Sequence, residues 1–273
     1  MSDNGDVHGS LMRTFSHDDF APAALVAAKA GRTVTVCLPA QDEEPTVGAI
    51  VACIRAELPG LVDEVLVVDD ESTDGTATAA MRAGARVVRG AGAGKGDAMR
   101  LGVQCAEGDI VAFCDADVRN FTAGFVVGLL GPLLTTDEVA FVKGYYRRPF
   151  EGRAGQGGRV TELTAKPLLR VLFPHLAGVL QPLGGECAAP RDVFDRVPFV
   201  KGWGVDIGLV IDITAAYGAN AIAQVDLGER VHFNRPLDEL SLQSEAIVRT
   251  VLARAGLQPA VPESAPLVTR RTA

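Results

Sequence analysis

The chain has 273 residues, 48% hydrophobic and 22% charged, enough for one α/β domain with a substantial core. With a formal net charge of −8 no basic surface advertises nucleic acid or anionic membrane, so an anionic substrate must be held by local Arg, Lys or metal. No apolar run reaches the roughly 20 residues that span a bilayer, no signal pattern opens the chain, and five cysteines without C-x-x-C spacing predict free thiols in a reducing cytoplasm, not disulfides or a zinc site.

Residues 1–30 read as an N-terminal extension that could include one short helix over 21–30. Thr33–Leu38 is a continuous apolar strand, which Pro39 is expected to stop. Val47, Ile50, Val51 and Ile54 recur at helical spacing over 46–57, and Pro59-Gly60 ends that helix. Glu64–Asp69 is the second strand; Ser72-Thr73-Asp74-Gly75 leads into a helix through Ala83; 85–88 is a short third strand. A helix over 95–106 and a fourth strand over 109–114 follow. This alternation predicts right-handed crossovers and a Rossmann-like, mostly parallel sheet flanked by helices. No G-x-G-x-x-G follows the first strand, and Gly94-Lys95-Gly96 lacks P-loop spacing and its Ser or Thr, so neither fingerprint applies.

The second half is less regular. A strand over 139–146, a glycine-rich loop over 151–158, a helix over 159–172 broken at Pro167 and a turn-rich segment over 181–186 come first. A helix over 205–217, a strand over 221–227 and an amphipathic helix over 237–255 complete the folded part. From 258 onward, Pro and small polar residues predict a disordered tail.

Asp115-Ala116-Asp117 is the most informative tripeptide, because it follows a buried strand directly. Two carboxylates at i and i+2 on the carboxyl edge of an open α/β sheet offer hard oxygen ligands to a divalent cation; an acidic turn capping the next helix is the competing reading. Asp42-Glu43-Glu44 after the first strand suits a helix N-cap as well as contacts from Glu43 to a base or ribose. Asp70 ends the second strand, where it is placed to touch a nucleoside, while Ser72 or Asp74 caps the next helix. Lys95 stands among glycines at a helix start, where small residues and the helix N-terminus admit a diphosphate; a solvated lysine in a loop is the alternative.

The blocks Pro39-Ala40-x-x-Glu43-Glu44, Val68-Asp69-x-x-Ser72-Thr73-Asp74, Gly94-Lys95-Gly96-x-Ala98 and the D-x-D resemble GT-A glycosyltransferases of the family 2 type. Lys143–Pro149, Gly157–Leu163, Gln181–Glu186 and His232–Leu237 narrow the resemblance to the glucosyl-3-phosphoglycerate synthases, over about residues 33–256. That resemblance implies an α/β GT-A fold, with residues 31–138 as the nucleotide-sugar-binding half and 139–257 as the acceptor-binding half and C-terminal helix. It implies a metal-dependent retaining hexosyltransferase, using UDP-glucose and 3-phosphoglycerate, and a homodimer. Pro39, Ala40, Glu43, Asp70, Asp115, Ala116, Leu183, Gly184 and Asp206 would bind the nucleotide sugar, with Lys95 on its diphosphate. Asp206 and Lys95 would be catalytic. Gly158, Arg159, Thr161, Arg230 and Asn234 would bind the acceptor, and Asp117 and His232 would ligate Mg²⁺ or Mn²⁺. The chain departs from the family where Tyr-Gly-Val-Glu becomes Trp203-Gly204-Val205-Asp206, and at Gln41, Asp42, Asp70 and Cys187. These departures surround the sugar, so a relative using UDP-N-acetylglucosamine and a different, carrier-bound acceptor is the alternative.

Overall fold

The computed structural model describes residues 12–148, 158–231, 237–257 and 263–264. In chain order these form β1 (Arg13–Ser16), α1 (Pro22–Ala28), β2 (Val34–Ala40), α2 (Glu44–Glu57), β3 (Glu64–Asp69), α3 (Thr76–Arg82), β4 (Arg86–Arg89), α4 (Lys95–Cys105), β5 (Ile110–Phe113) and α5 (Ala123–Thr135). There follow β6 (Phe141–Arg147), α6 (Lys166–Leu172), β7 (Cys187–Pro190), α7 (Arg191–Asp195), β8 (Phe199–Val200), α8 (Val205–Tyr217), β9 (Ile222–Glu229), α9 (Leu237–Arg254) and β10 (Glu263–Ser264). A π-helical turn, Thr161–Ala165, leads into α6.

Eight strands make one sheet in the order β1-β9-β6-β7-β5-β2-β3-β4. Within this sheet, among the described residues, β7 alone pairs antiparallel with its neighbours and the other pairings are parallel. The strands from both halves of the chain therefore end on one edge, where open α/β sheets collect ligands. Helices α1, α2, α3 and α5 cover one face, with Leu25, Val47, Ile50 and Leu130 in its core. The other face lies under α4, α6, α7, α8 and α9, around Met99, Phe113, Phe194 and Ile247. Among the described residues no helix is long and apolar enough to cross a membrane.

Several elements differ from their sequence expectation for identifiable reasons. Pro39 does not stop β2, which runs on through Ala40. Cys37 accepts from Cys114 N on the β5 side, and Ala40 accepts from Asp70 N on the β3 side. By that alternation the missing N–H of Pro39 faces β5, whose pairing with β2 ends at Cys37, so no ladder bond is lost. Part of the stretch read as an extension is in the sheet: β1 pairs parallel with β9 at the edge. Within the stretch expected to be disordered, Glu263–Ser264 pairs with β8; residues 258–262 and 265–273 lie outside the described residues. Helix α5 carries no amphipathic signal because Ala123 and Phe125 through Leu134 are all buried.

Candidate active site

Strand ends and helix starts meet on the carboxyl edge of the sheet around a cleft of about 320 Å³. Its walls include Pro39, Ala40 and Glu43 after β2, Asp70 after β3, Lys95 on α4, and Asp115, Ala116 and Asp117 after β5. Gly158, Arg159 and Thr161, then Leu183, Asp206 and Arg230, complete the sequence-predicted residues that line it. Gly184 does not line it. His232 and Asn234 lie outside the described residues.

The two loops after β2 and β3 fix each other. Ser72 Oγ accepts from Asp42 N at 3.0 Å, Asp42 Oδ1 accepts from Thr73 N at 2.7 Å, and Glu44 Oε2 accepts from Gly75 N at 3.0 Å. The expected capping is thus partly redirected: Asp74 accepts from Thr76 N beside the start of α3, whereas Ser72 serves the neighbouring loop. Neither Asp42 nor Glu43 caps α2 with its side chain. Asp70 has both carboxylate oxygens engaged, accepting from Gly92 N and Gly94 N at 2.9 Å each. Its first task is to shape the loop that delivers Lys95, though it remains on the cleft wall.

Lys95 opens α4 and Asp206 stands in the first turn of α8, so two helix N-termini face the same space and favour negative charge there. Gly96 makes this convergence possible. A Cβ at Gly96 would come within 1.8 Å of Val200 O, so only glycine lets α4 approach the segment leading into α8. Lys95 Nζ lies 3.0 Å from Asp206 Oδ2 and 3.1 Å from Asp115 Oδ1. Burial opposes the Lys95 charge, but Asp115 and then Asp206 outweigh it and hold the ammonium well above its ordinary range.

Arg230, at the end of β9 and almost wholly buried, is held by acids. Its Nη1 lies 2.8 Å from Asp115 Oδ2 and 3.3 Å from Glu186 Oε1, and its Nη2 donates to Asp117 Oδ1 at 2.5 Å. Glu186 stands just before β7, the one strand that enters the sheet from this edge. Burial would raise Asp115, yet Lys95 and then Arg230 keep its carboxyl far below the usual range. Glu186 and Asp206 go the other way. Burial raises both, and the Asp115 charge adds to it, against Arg230 at Glu186 and Lys95 at Asp206. Asp206 Oδ1 is buried with no hydrogen-bond partner, an acceptor aimed at a site that supplies none from the protein.

Four residues that sequence reasoning did not commit to belong to this network. Tyr146 OH accepts from Arg230 Nη1 at 2.6 Å and from Arg148 Nη2 at 2.8 Å; Lys143 Nζ donates to Gly184 O; Glu186 carries the fourth carboxylate. Trp203 also lines the cleft.

Asp117 has a partly exposed side chain on the cleft wall, an accessible hard oxygen donor of the kind Mg²⁺ or Mn²⁺ takes. Among the described residues no three His, Cys, Asp or Glu side chains are grouped to hold a metal alone. Asp117 thus offers one carboxylate to a cation, which would need further donors to complete its shell. Two hydrogen bonds, Arg119 N to Val231 O at 3.0 Å and Val231 N to Asn120 Oδ1 at 2.8 Å, tie the chain at Val231 to the turn after Asp117.

The family model "Glycosyl transferase family 2" matches residues 35–181. A glucosyl-3-phosphoglycerate synthase of Mycolicibacterium paratuberculosis is 48% identical over 260 residues, which cover 90% of this chain and 79% of that one. The Mycobacterium tuberculosis glucosyl-3-phosphoglycerate synthase, solved with Mn²⁺, UDP-glucose and phosphoglyceric acid, superposes with a TM-score of 0.87 at 41% identity, covering 94% of this chain and 98% of that one. The same enzyme solved with Mn²⁺, UDP-glucose and glycerol 3-phosphate gives a TM-score of 0.86 at 41% identity, with the same coverage.

Proposed function

We propose that this chain, which belongs to glycosyl transferase family 2 and within it to the glucosyl-3-phosphoglycerate synthases, has a GT-A fold and moves glucose from UDP-glucose to 3-phosphoglycerate, using Mn²⁺ or Mg²⁺. The observation that carries this reading is the joining of Lys95, Asp115, Asp117 and Asp206 in one cleft with Gly158, Arg159 and Thr161. Donor and acceptor groups of the family thus face each other across a single space.

Pro39, Ala40 and Glu43 bind the nucleoside, on loops made rigid by the Ser72, Asp42 and Glu44 hydrogen bonds. Lys95 and the N-terminus of α4 bind the diphosphate, and a positioned cation of this kind stabilises the charge that develops as UDP departs. Asp117 and His232 hold the metal, which when bound neutralises the leaving diphosphate. Asp206 takes a sugar hydroxyl on its unpartnered Oδ1 and supports positive charge at the anomeric carbon. Gly158, Arg159 and Thr161 take the acceptor phosphate on backbone N–H groups, a guanidinium and a hydroxyl. The resemblance to the retaining glucosyl-3-phosphoglycerate synthases supports transfer with retention. The bond from the anomeric carbon to phosphate breaks, the acceptor oxygen bonds on the same face, and the departing phosphate oxygen receives the acceptor proton. Asp206, tied to Lys95, is a poor attacking group, which favours this front-face course over a covalent intermediate.

A homodimer is supported by Leu237 and Leu242, which α9 leaves exposed while Ile247 and Val251 pack inward. The five free cysteines support a cytoplasmic setting. The function is tested by incubating the protein with UDP-glucose, 3-phosphoglycerate and Mn²⁺ and following the product by mass spectrometry and proton NMR. A glucosyl-3-phosphoglycerate with an α-anomeric linkage is expected. A β-linked product would overturn retention, and UDP release without acceptor glucosylation would overturn the assigned acceptor.

A further inference from the structure

We infer that Arg148 reads the carboxylate of the acceptor and makes this site selective for a phosphorylated hydroxy acid over a phosphorylated polyol. The inference rests on the acceptor reading above and adds a residue to it.

Three observations carry it. First, Arg148 is at the right place. It follows β6, lines the cleft, and its Cδ would lie 3.9 Å from a Cβ at Gly158, beside the segment that takes the phosphate. Second, Arg148 is aimed but not used up. Its Nη2 donates to Tyr146 OH and its guanidinium lies 5.0 Å from the centroid of that ring, which fixes its orientation. Its Nε is buried without a hydrogen-bond partner, a state that costs free energy until an acceptor arrives. Third, the other guanidinium is more fully engaged. Arg230, on which an acceptor role is also expected, has both terminal nitrogens on Asp115, Glu186, Asp117 and Tyr146 and is 3% exposed, with its Nε alone left without a partner.

Tyr146 stands between the two guanidiniums. Arg230 on one side neutralises the acids of the donor end, and on the other the fork of Arg148, its Nε still without a partner, lines the cleft beside Gly158. A carboxylate is the natural complement of that fork. 3-Phosphoglycerate has an anionic group on each side of its one free hydroxyl. Holding the phosphate at Gly158–Thr161 and the carboxylate at Arg148 fixes that hydroxyl between them, facing the donor. Glycerol 3-phosphate keeps the phosphate but lacks the carboxylate, and would leave the fork unmatched, which is how a site built for a polar group rejects an analogue without it.

The test compares kcat/KM for 3-phosphoglycerate and for glycerol 3-phosphate, with UDP-glucose and Mn²⁺, in the unaltered protein, Arg148→Gln and Arg148→Lys. Titration of UDP with Mn²⁺ checks the donor end. Loss of a charged hydrogen-bond partner predicts a fall of roughly ten- to a hundredfold for 3-phosphoglycerate in Arg148→Gln, with the polyol changed by less than about threefold and UDP affinity unaltered. Arg148→Lys, which keeps the charge but loses the fork, falls between. An equal fall with both acceptors would assign Arg148 to the phosphate or to the shape of the cleft and overturn the inference, as would no fall with either. If the unaltered protein glucosylates neither acceptor, the acceptor reading itself fails before any variant is compared, and the inference falls with it.

Discussion

The Lys95 ammonium lies 3.0 Å from the Asp206 carboxylate and ties the start of α4 to the start of α8 across 111 positions of sequence. Asp115 meets the same ammonium from the end of β5. A diphosphate bound between the two helix N-termini, as proposed, would find a cation already positioned by two acids, with little reorganisation left to do.

Replacing Lys95 with Met leaves Asp115 and Asp206 as buried acids without their shared partner. Breaking a buried pair from one side costs about 3–5 kcal/mol, so the unfolding free energy should fall on that scale. Turnover with UDP-glucose should fall by at least about a hundredfold, as for loss of one preorganised charge-stabilising donor. Denaturant titration and steady-state kinetics check the two effects separately.

Asp206→Asn should split binding from transfer. The amide keeps the shape but withdraws one of the two acids that hold Lys95, leaving the ammonium more available to phosphate. UDP affinity, read by calorimetry, should be unchanged or tighter, while transfer drops by roughly a hundredfold because the oxocarbenium-like charge loses its support. A parallel loss of UDP affinity would mean that Asp206 serves only to position Lys95.

Two glycines should fail in different ways. A Cβ at Gly185 would come 1.9 Å from Asp115 Oδ1, a side-chain atom and not backbone, so Gly185→Ala should fold and lose transfer as Asp115 is pushed from Lys95 and Arg230. At Gly96 the obstacle is the backbone oxygen of Val200. Gly96→Ala should therefore lose about 1–3 kcal/mol of stability, the usual range for overpacking, along with activity.

Tyr146 predicts an alkaline signature. Burial pushes its hydroxyl up to about 12 from 10.0, against the opposing charges of Arg148 and Arg230. The folded protein then holds this proton more tightly than the unfolded chain. That share of stability is complete below pH 10.0 and is lost as pH rises through about 12. Cys187, raised by burial to about 12 from 9.0, works in the same direction, so the comparison must be Tyr146→Phe against the unaltered protein. Thermal melts across this range should show a shallower decline in Tyr146→Phe.

Much of this molecule was legible in the chain. The runs 64–69 and 109–114 are apolar and β-prone, and acids stand at or just past their ends, Asp69 and Asp115, so both the parallel strands and their carboxyl ends could be read. Helices α8 and α9 also fall where helical spacing or a sustained apolar run puts them. Strand β7 could not be read, since Cys187–Pro190 is four small or apolar residues and its antiparallel direction is set by its neighbours. The clasp of Asp70 on Gly92 N and Gly94 N uses backbone donors that no side-chain motif records. The motif around Arg230 fixes residue type but not partners: the end of β9 brings it to Asp117, 113 positions away, where acids engage it, a contact that no local pattern records.

The role proposed for Asp117, holding a divalent cation through which UDP-glucose is used, is measured most directly by glucosyl transfer to 3-phosphoglycerate with Mn²⁺, with EDTA, and after Mn²⁺ is restored, in the unaltered protein and in Asp117→Ala. Transfer that is abolished by EDTA, recovered with Mn²⁺ and absent from a folded Asp117→Ala is the expected result. Transfer that persists in EDTA, or an Asp117→Ala variant that keeps full Mn²⁺-dependent activity, would contradict it.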